Sequence, residues 1–130
     1  MTDSTLLIEQ AKTESAKKNE PKAQEILLDL LRKEPHNSTA LYMLGGSYFC
    51  SDKLAEAVVI FEQLVLMFPG EGKASTGLYN ALWQQGKATE AVTEIKRFLE
   101  NADPKSERDT MAAYLQIIET LSADDSQAPN

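Results

Sequence analysis

The sequence predicts an all-α fold: antiparallel helix-turn-helix units stacked as a short α-solenoid of about three repeats plus a closing helix. Three observations predict it. Ala23, Ala57 and Ala91 lie 34 residues apart, as do Leu27, Phe61 and Ile95, then Leu30, Leu64 and Phe98, then Leu31, Val65 and Leu99. Pro35 and Pro69 keep the same interval, and Pro104 falls one residue late. A fixed period in the range of roughly 20 to 50 residues marks a stacked-repeat chain. Apolar residues recur at helical spacing nearly throughout, with no convincing period-two alternation. Breakers punctuate the stripes at Glu34-Pro35-His36-Asn37, Phe68-Pro69-Gly70-Glu71-Gly72, Gln85-Gly86-Lys87 and Ala102-Asp103-Pro104.

These signals place seven helices near 4–18, 21–33, 38–50, 53–67, 73–85, 88–101 and 106–121. The first carries the thinnest stripe, Leu7 and Ala11. The second holds the periodic Ala23, Leu27, Leu30 and Leu31 and ends before Pro35. In the third, Leu41, Leu44, Gly45 and Tyr48 follow i, i+3, i+4, i+7. The fourth shows Ala57, Ile60, Phe61, Leu64 and Val65, extended by Met67 and Phe68 to Pro69. The fifth runs between Gly72 and Gly86 with Leu78, Tyr79 and Leu82. The sixth carries Ala91, Ile95, Phe98 and Leu99. The seventh has Met111, Tyr114, Leu115, Ile118 and Leu121 on one stripe, a face suited to covering the open end of the last repeat. Helices joined by so few residues must lie antiparallel, and each pair buries too little alone, so neighbours must stack. The expected organisation is one domain over 1–121, with repeats 4–35, 38–69 and 72–104 and a capping helix 106–121. A disordered acidic tail is expected over 122–130, Ser-Ala-Asp-Asp-Ser-Gln-Ala-Pro-Asn, which is polar and lacks aromatics.

Composition narrows the function. The 130 residues carry 13 Lys and Arg against 20 Asp and Glu, a net charge of −7. Such an acidic chain is poorly suited to phosphate backbones, so no nucleic-acid partner is expected. The charge is uneven: seven acids face two bases from Glu100 to Asn130, while bases outnumber acids from Lys73 to Leu99. No apolar run approaches the ~20 residues of a membrane span, so no membrane partner is expected. Cys50 is the single cysteine and can form no intrachain disulfide. Met1-Thr2-Asp3-Ser4-Thr5 has no basic region, and only Leu6-Leu7-Ile8 follows, which reads against a secretory signal. The expected location is cytoplasmic.

In the central repeat, Leu41, Leu44, Gly45, Tyr48, Ala57, Phe61 and Pro69 match the pattern W-x2-L-G-x2-Y…A-x3-F…P at all but the first position, where Leu replaces Trp. This stretch resembles a tetratricopeptide repeat. The following repeat reads Ser75, Leu78, Tyr79, Leu82, Ala91, Ile95 and Asp103. It departs at polar Ser75, and at Tyr79, which stands in the small-residue position. The preceding one reads Leu7, Gln10, Ala11, Glu14, Ala23, Leu27 and Pro35, strong in its second helix and weak in its first, as suits a terminal unit. The resemblance covers roughly 4–121 and implies a right-handed superhelix. Gly45 and Ala57 would sit where paired helices approach closest, with Tyr48 and Phe61 filling the space between them. On the last helix Glu107, Arg108, Asp109, Gln116 and Glu119 would face water.

Little in the chain suits catalysis, and the expectation is a non-enzyme. His36 is the only histidine and follows Pro35 in a loop, so no zinc site of usual spacing can form and no metal is expected. Cys50 and His36 have no orienting third group. Gly70-Glu71-Gly72 lacks the Lys-Ser/Thr of a phosphate loop. No cofactor is expected. The better candidate is the concave groove that the resemblance implies, lined by the first helix of each repeat. Its expected contact residues are Tyr42, Met43, Phe49, Lys73, Thr76, Asn80, Trp83, Gln84 and Tyr114. Gly46, Cys50 and Gly77 share their faces, and Ile8, Glu9, Lys12, Thr110, Met111 and Ile117 extend the surface. Exposed aromatics beside Lys73, Asn80 and Gln84 suit a peptide-binding surface. A clamp for a C-terminal carboxylate, known in this family, would fall on Ile8, Lys12, Met43, Lys73 and Gly77, and only Lys73 has the required type. The resemblance therefore implies a protein-protein interaction module, adaptor or chaperone, that binds an apolar helical or extended segment of a partner protein. A dedicated bacterial secretion chaperone, a self-associating homodimer and an enzyme-regulatory subunit are the alternatives.

Overall fold

Local chemistry marks the starts of two helices. Pro21 occupies the first turn of the second helix, where a missing N–H goes unmissed. Asn37 caps the third, its side chain accepting from the Ala40 N–H at 3.0 Å. The computed structural model describes residues 3–127, with side chains through 123, and its helices are α1 (Asp3–Ala16), α2 (Glu20–Lys33), α3 (Ser38–Cys50), α4 (Leu54–Met67), α5 (Gly72–Gln84), α6 (Ala88–Asn101) and α7 (Arg108–Gln127). Among the described residues there is no strand.

The turns repeat as faithfully as the helices. Lys18, Asp52 and Gly86, again 34 apart, all adopt positive φ, at 62°, 61° and 78°. At each turn the next residue's N–H bonds back five positions: Asn19 to Glu14, Lys53 to Tyr48 and Lys87 to Leu82, at 2.8, 2.8 and 3.0 Å. This is a helix C-terminus closed by a left-handed residue, and it folds the second helix of each pair back on the first. Only at Gly86 does a glycine fill the left-handed position.

Consecutive helices pack on one another, and α3 also touches α5, as α5 does α7, so the odd-numbered helices form one layer and the even-numbered a second. The core between them is three buried clusters, bridged by the partly buried Leu31, Tyr48 and Ile60 and by Tyr79. Leu27, Leu30 and Leu44 are buried at one end, Ala57, Phe61 and Leu64 in the middle, and Ile95, Phe98 and Tyr114 at the other. Burial of each large side chain contributes about 1.5–3 kcal/mol.

The C-terminal end departs from expectation. α7 starts at 108 rather than 106 and runs to Gln127, past the expected stop at 121. Ser122 to Gln127 is therefore helical rather than a disordered tail. The segment contains no glycine or proline to stop the helix, and the first proline after it is Pro129; 128–130 lie outside the described residues. Leu115, expected on the covering stripe, is 54% exposed.

Candidate functional site

The layer of α1, α3, α5 and α7 is the one that the resemblance makes concave, and cavities open between its helices. Between α3 and α5 lies a cavity of about 320 Å3. Its floor is the Phe61 ring, reached because both helices are stripped to glycine above it. A Cβ on Gly45 would lie 2.9 Å from Phe61 Cζ, and one on Gly77 2.3 Å from Cε1. Its walls are Tyr42, Phe49 and Cys50 on one side and Lys73, Thr76 and Asn80 on the other.

The two walls are braced against each other at one end. The Tyr42 hydroxyl donates to the Glu71 carboxylate, and Lys73 Nζ sits 4.4 Å from the Tyr42 ring centroid, a cation–π contact. Burial first, then the hydrogen bond to Glu71 and the charges of Glu71 and Glu107, push the Tyr42 phenol well above its ordinary value. It therefore stays a neutral donor, and its ring and the Lys73 stem form a fixed rim.

A second cavity of about 260 Å3 lies between α1 and α3, lined by Lys12, Ser15, Glu20, Met43, Gly46, Ser47 and Cys50. Polar groups close its base. Gln24, nearly buried, donates to Ser47 at 3.0 Å and Ser51 at 3.2 Å and accepts from Lys53 at 3.2 Å, and Ser47 donates to Glu20.

The structure thus brings Tyr42, Phe49, Lys73, Thr76 and Asn80 around one cavity, with Met43 on its neighbour. Gln84 is exposed but lies beyond both. Trp83 is 41% exposed and stands further along, between α5, α6 and the second half of α7. Its ring stacks on Tyr79 at 5.9 Å. Tyr114 is not a groove residue. It is 3% exposed, packs edge-on to Phe98 at 5.3 Å and lies 2.8 Å from Ser75 Oγ. The two-residue delay in the start of α7 turns the helix by about 200° relative to the repeat frame, carrying Tyr114 inward. Cys50 lies exposed on the rim of the same cavity as Tyr42 and Lys73.

Ser75, the polar departure from the repeat pattern, belongs to a buried junction at α5, α6 and α7. Ser75 Oγ donates to Glu94 at 2.6 Å. Arg97 grips the same carboxylate through Nε and Nη2, at 2.7 and 2.6 Å, and reaches the Pro69 carbonyl with Nη1 at 2.8 Å. The hydrogen bond to Glu94 raises the Arg97 pKa. Burial raises that of Tyr114. Glu94 stands 34 residues after apolar Ile60, so only an acid out of register with the apolar pattern could have signalled it.

Paired antiparallel helices, a 34-residue frame of turns and an open concave layer define a tetratricopeptide-repeat-like fold. Solved structures agree. The tetratricopeptide-repeat (TPR) domain of Sgt2 from Aspergillus fumigatus superposes with a TM-score of 0.72 at 19% identity, over 100% of this chain and 87% of that one. The first TPR of Spaghetti (RPAP3), solved bound to the HSP90 peptide SRMEEVD, gives 0.69 at 19% identity over 92% and 95%. A tetratricopeptide repeat protein from Parabacteroides merdae gives 0.69 at 22% identity, with 75% of this chain covering 40% of that one. In sequence, 80 residues, 62% of the chain, are 30% identical to an uncharacterized protein of Aquifex aeolicus (strain VF5), and the match spans 10% of that protein. No family model matches the chain.

Proposed function

We propose that this protein is a protein-interaction module, an adaptor or chaperone, whose concave face holds an apolar segment of a partner protein. The observation that carries the reading is the cavity between α3 and α5: an aromatic floor and walls, ringed by the donors of Lys73, Thr76 and Asn80. An apolar side chain can be desolvated on Phe61 while the rim satisfies the backbone around it. The fold neighbour whose structure contains a bound peptide supports a peptide as occupant.

The test is affinity capture from native extract with wild type and a Tyr42→Ala, Phe49→Ala variant of matched helicity. A protein retained by wild type and released by the variant supports groove binding. Equal retention by both moves the site to another surface.

A further inference from the structure

Three glycines lie inside α3 and α5 near the groove, and packing requires only two of them. Gly45 and Gly77 are pressed against Phe61, so neither position has room for a side chain. Gly46 is different. A Cβ there meets nothing within 4 Å, and its φ is not positive. Glycine is the poorest helix former after proline, and where no packing or backbone need requires it, it weakens the helix. The fold alone therefore gives no reason for glycine at 46.

The groove does. Gly46 lines both cavities, the one between α1 and α3 and the one between α3 and α5. Helical spacing puts Tyr42 and Met43 one turn before it and Phe49 and Cys50 one turn after, on the same stripe. Large side chains thus wall the crest of α3 on either side of one gap, and that gap joins the two cavities. Closeness of backbone to backbone is what a side-chain-free position permits.

We propose that Gly46 is the specificity-determining crossing point of the groove, where an extended segment of a partner protein passes over α3 in backbone contact. The inference rests on the groove reading above. The segment sets one apolar side chain in each cavity. Cavities on opposite flanks of one helix are about a helix diameter apart, ~10 Å. A chain in polyproline-II conformation returns a side chain to the same face every three residues, about 9 Å along. The two anchors are therefore at i and i+3, with the backbone between them over Gly46. A bound helix would keep its own backbone a side chain's length away and would gain nothing from the missing Cβ.

Charge fixes a further feature of the occupant. Lys73 is the one ionisable side chain besides Tyr42 and Cys50 on the cavity between α3 and α5, and no acid lines that cavity. Among the described residues no carboxylate lies within ion-pair distance of its ammonium. The segment accordingly carries an Asp or Glu beside the anchor that enters that cavity.

The experiment is selection of linear 12-residue peptides from a random display library on the full chain. Calorimetric titration of the selected peptides against wild type, Gly46→Ala, Gly46→Val, Tyr42→Ala and Lys73→Met follows, with thermal melts of each protein. The expected peptides carry apolar residues at i and i+3 with an adjacent acid. Gly46→Ala should melt a few degrees higher than wild type yet bind at least tenfold more weakly, and Gly46→Val more than a hundredfold more weakly. Lys73→Met should weaken only peptides that carry the acid. Peptides that lose affinity to Tyr42→Ala but bind Gly46→Ala as they bind wild type would overturn the crossing point and leave the groove standing. Peptides indifferent to Tyr42→Ala, or no selected peptide at all, would overturn the groove reading itself. A lower melting temperature for Gly46→Ala would show a packing role and overturn the premise.

Discussion

The central repeat and the one after it solve one packing problem with opposite chemistry. At equivalent positions the central repeat has Leu41 and Ile60 where its successor has Ser75 and Glu94, and it has Gly45 and Phe61 where its successor has Tyr79 and Ile95. Both changes are paired. An apolar contact between the two helices of a unit becomes a hydrogen bond of 2.6 Å. Bulk that the second helix supplies as Phe61, over a glycine, is supplied next by the first helix as Tyr79, opposite a smaller Ile95. What the repeat frame fixes is that two side chains meet and roughly what volume they fill, and not which helix carries the bulk or whether the contact is polar. The exchange also opens different surfaces. The glycine side of the central unit leaves the cavity above Phe61, whereas Tyr79 links Trp83, stacked on it at 5.9 Å, to Tyr114, tilted against it at 5.8 Å.

The sharpest way to break the comparison is to give the central unit the bulk of its successor. In Gly45→Leu even the Cβ would sit 2.9 Å from Phe61. The expected loss is about 4 kcal/mol, above the ~1–3 usual for overpacking because the obstacle is a ring held by Gly77 on its other side. Thermal unfolding followed by circular dichroism checks it. A melting temperature within a degree or two of wild type would show that the unit tolerates the bulk on either helix. The partnered change Gly45→Leu, Phe61→Ile should recover most of the loss if the exchange of volume is the rule.

Next comes the polar pair. Glu94 is 5% exposed and Arg97 30% by side chain. Glu94→Ala leaves Arg97 and Ser75 facing a dry site and should destabilise by about 3 kcal/mol, the low end for a broken buried pair because Arg97 keeps some water. Replacing the ion pair and its bridging serine with apolar groups, Ser75→Leu, Glu94→Ile and Arg97→Leu, should bring stability back to near wild type, since well-packed apolar substitutes commonly match a buried ion pair. Urea unfolding of the single and triple variants distinguishes the cases. A triple variant no more stable than Glu94→Ala would mean that the junction needs its polar chemistry and that the two repeats are not interchangeable solutions.

This contrast also explains what could be read from the chain beforehand. Period and breakers placed six helices to within two residues, because a shared frame of apolar positions and turns is written in every unit. Five groove residues around the α3–α5 cavity were legible because they sit on the central repeat's frame or one period after it. Tyr114 was not, because its position depends on two extra residues between α6 and α7, and a two-residue phase error turns a helix by about 200°, to its opposite face. Glu94 was hidden for another reason: its burial is meaningful only once Ser75, Arg97 and Tyr114 are seen to converge, and they are up to 39 residues apart.

The smallest expected effect compares the turns, where the two repeats agree in shape and differ in residue. Asp52 and Gly86 hold the same left-handed conformation, φ 61° and 78°, with the same pair of flanking hydrogen bonds. For a side chain that conformation costs about 1 kcal/mol, and for glycine little. Asp52→Gly should therefore stabilise by a few tenths of a kcal/mol up to ~1, less whatever glycine's greater freedom in the unfolded chain takes back. Gly86→Ala, into open space, should destabilise by about 1 kcal/mol through backbone strain alone. Opposite signs at two sites 34 residues apart, measured by calorimetric melting, would show that the turn geometry is imposed by helix packing and that sequence only eases it. A destabilised Asp52→Gly would instead mean that Asp52 supplies something the fold uses, and the two turns would cease to be equivalent.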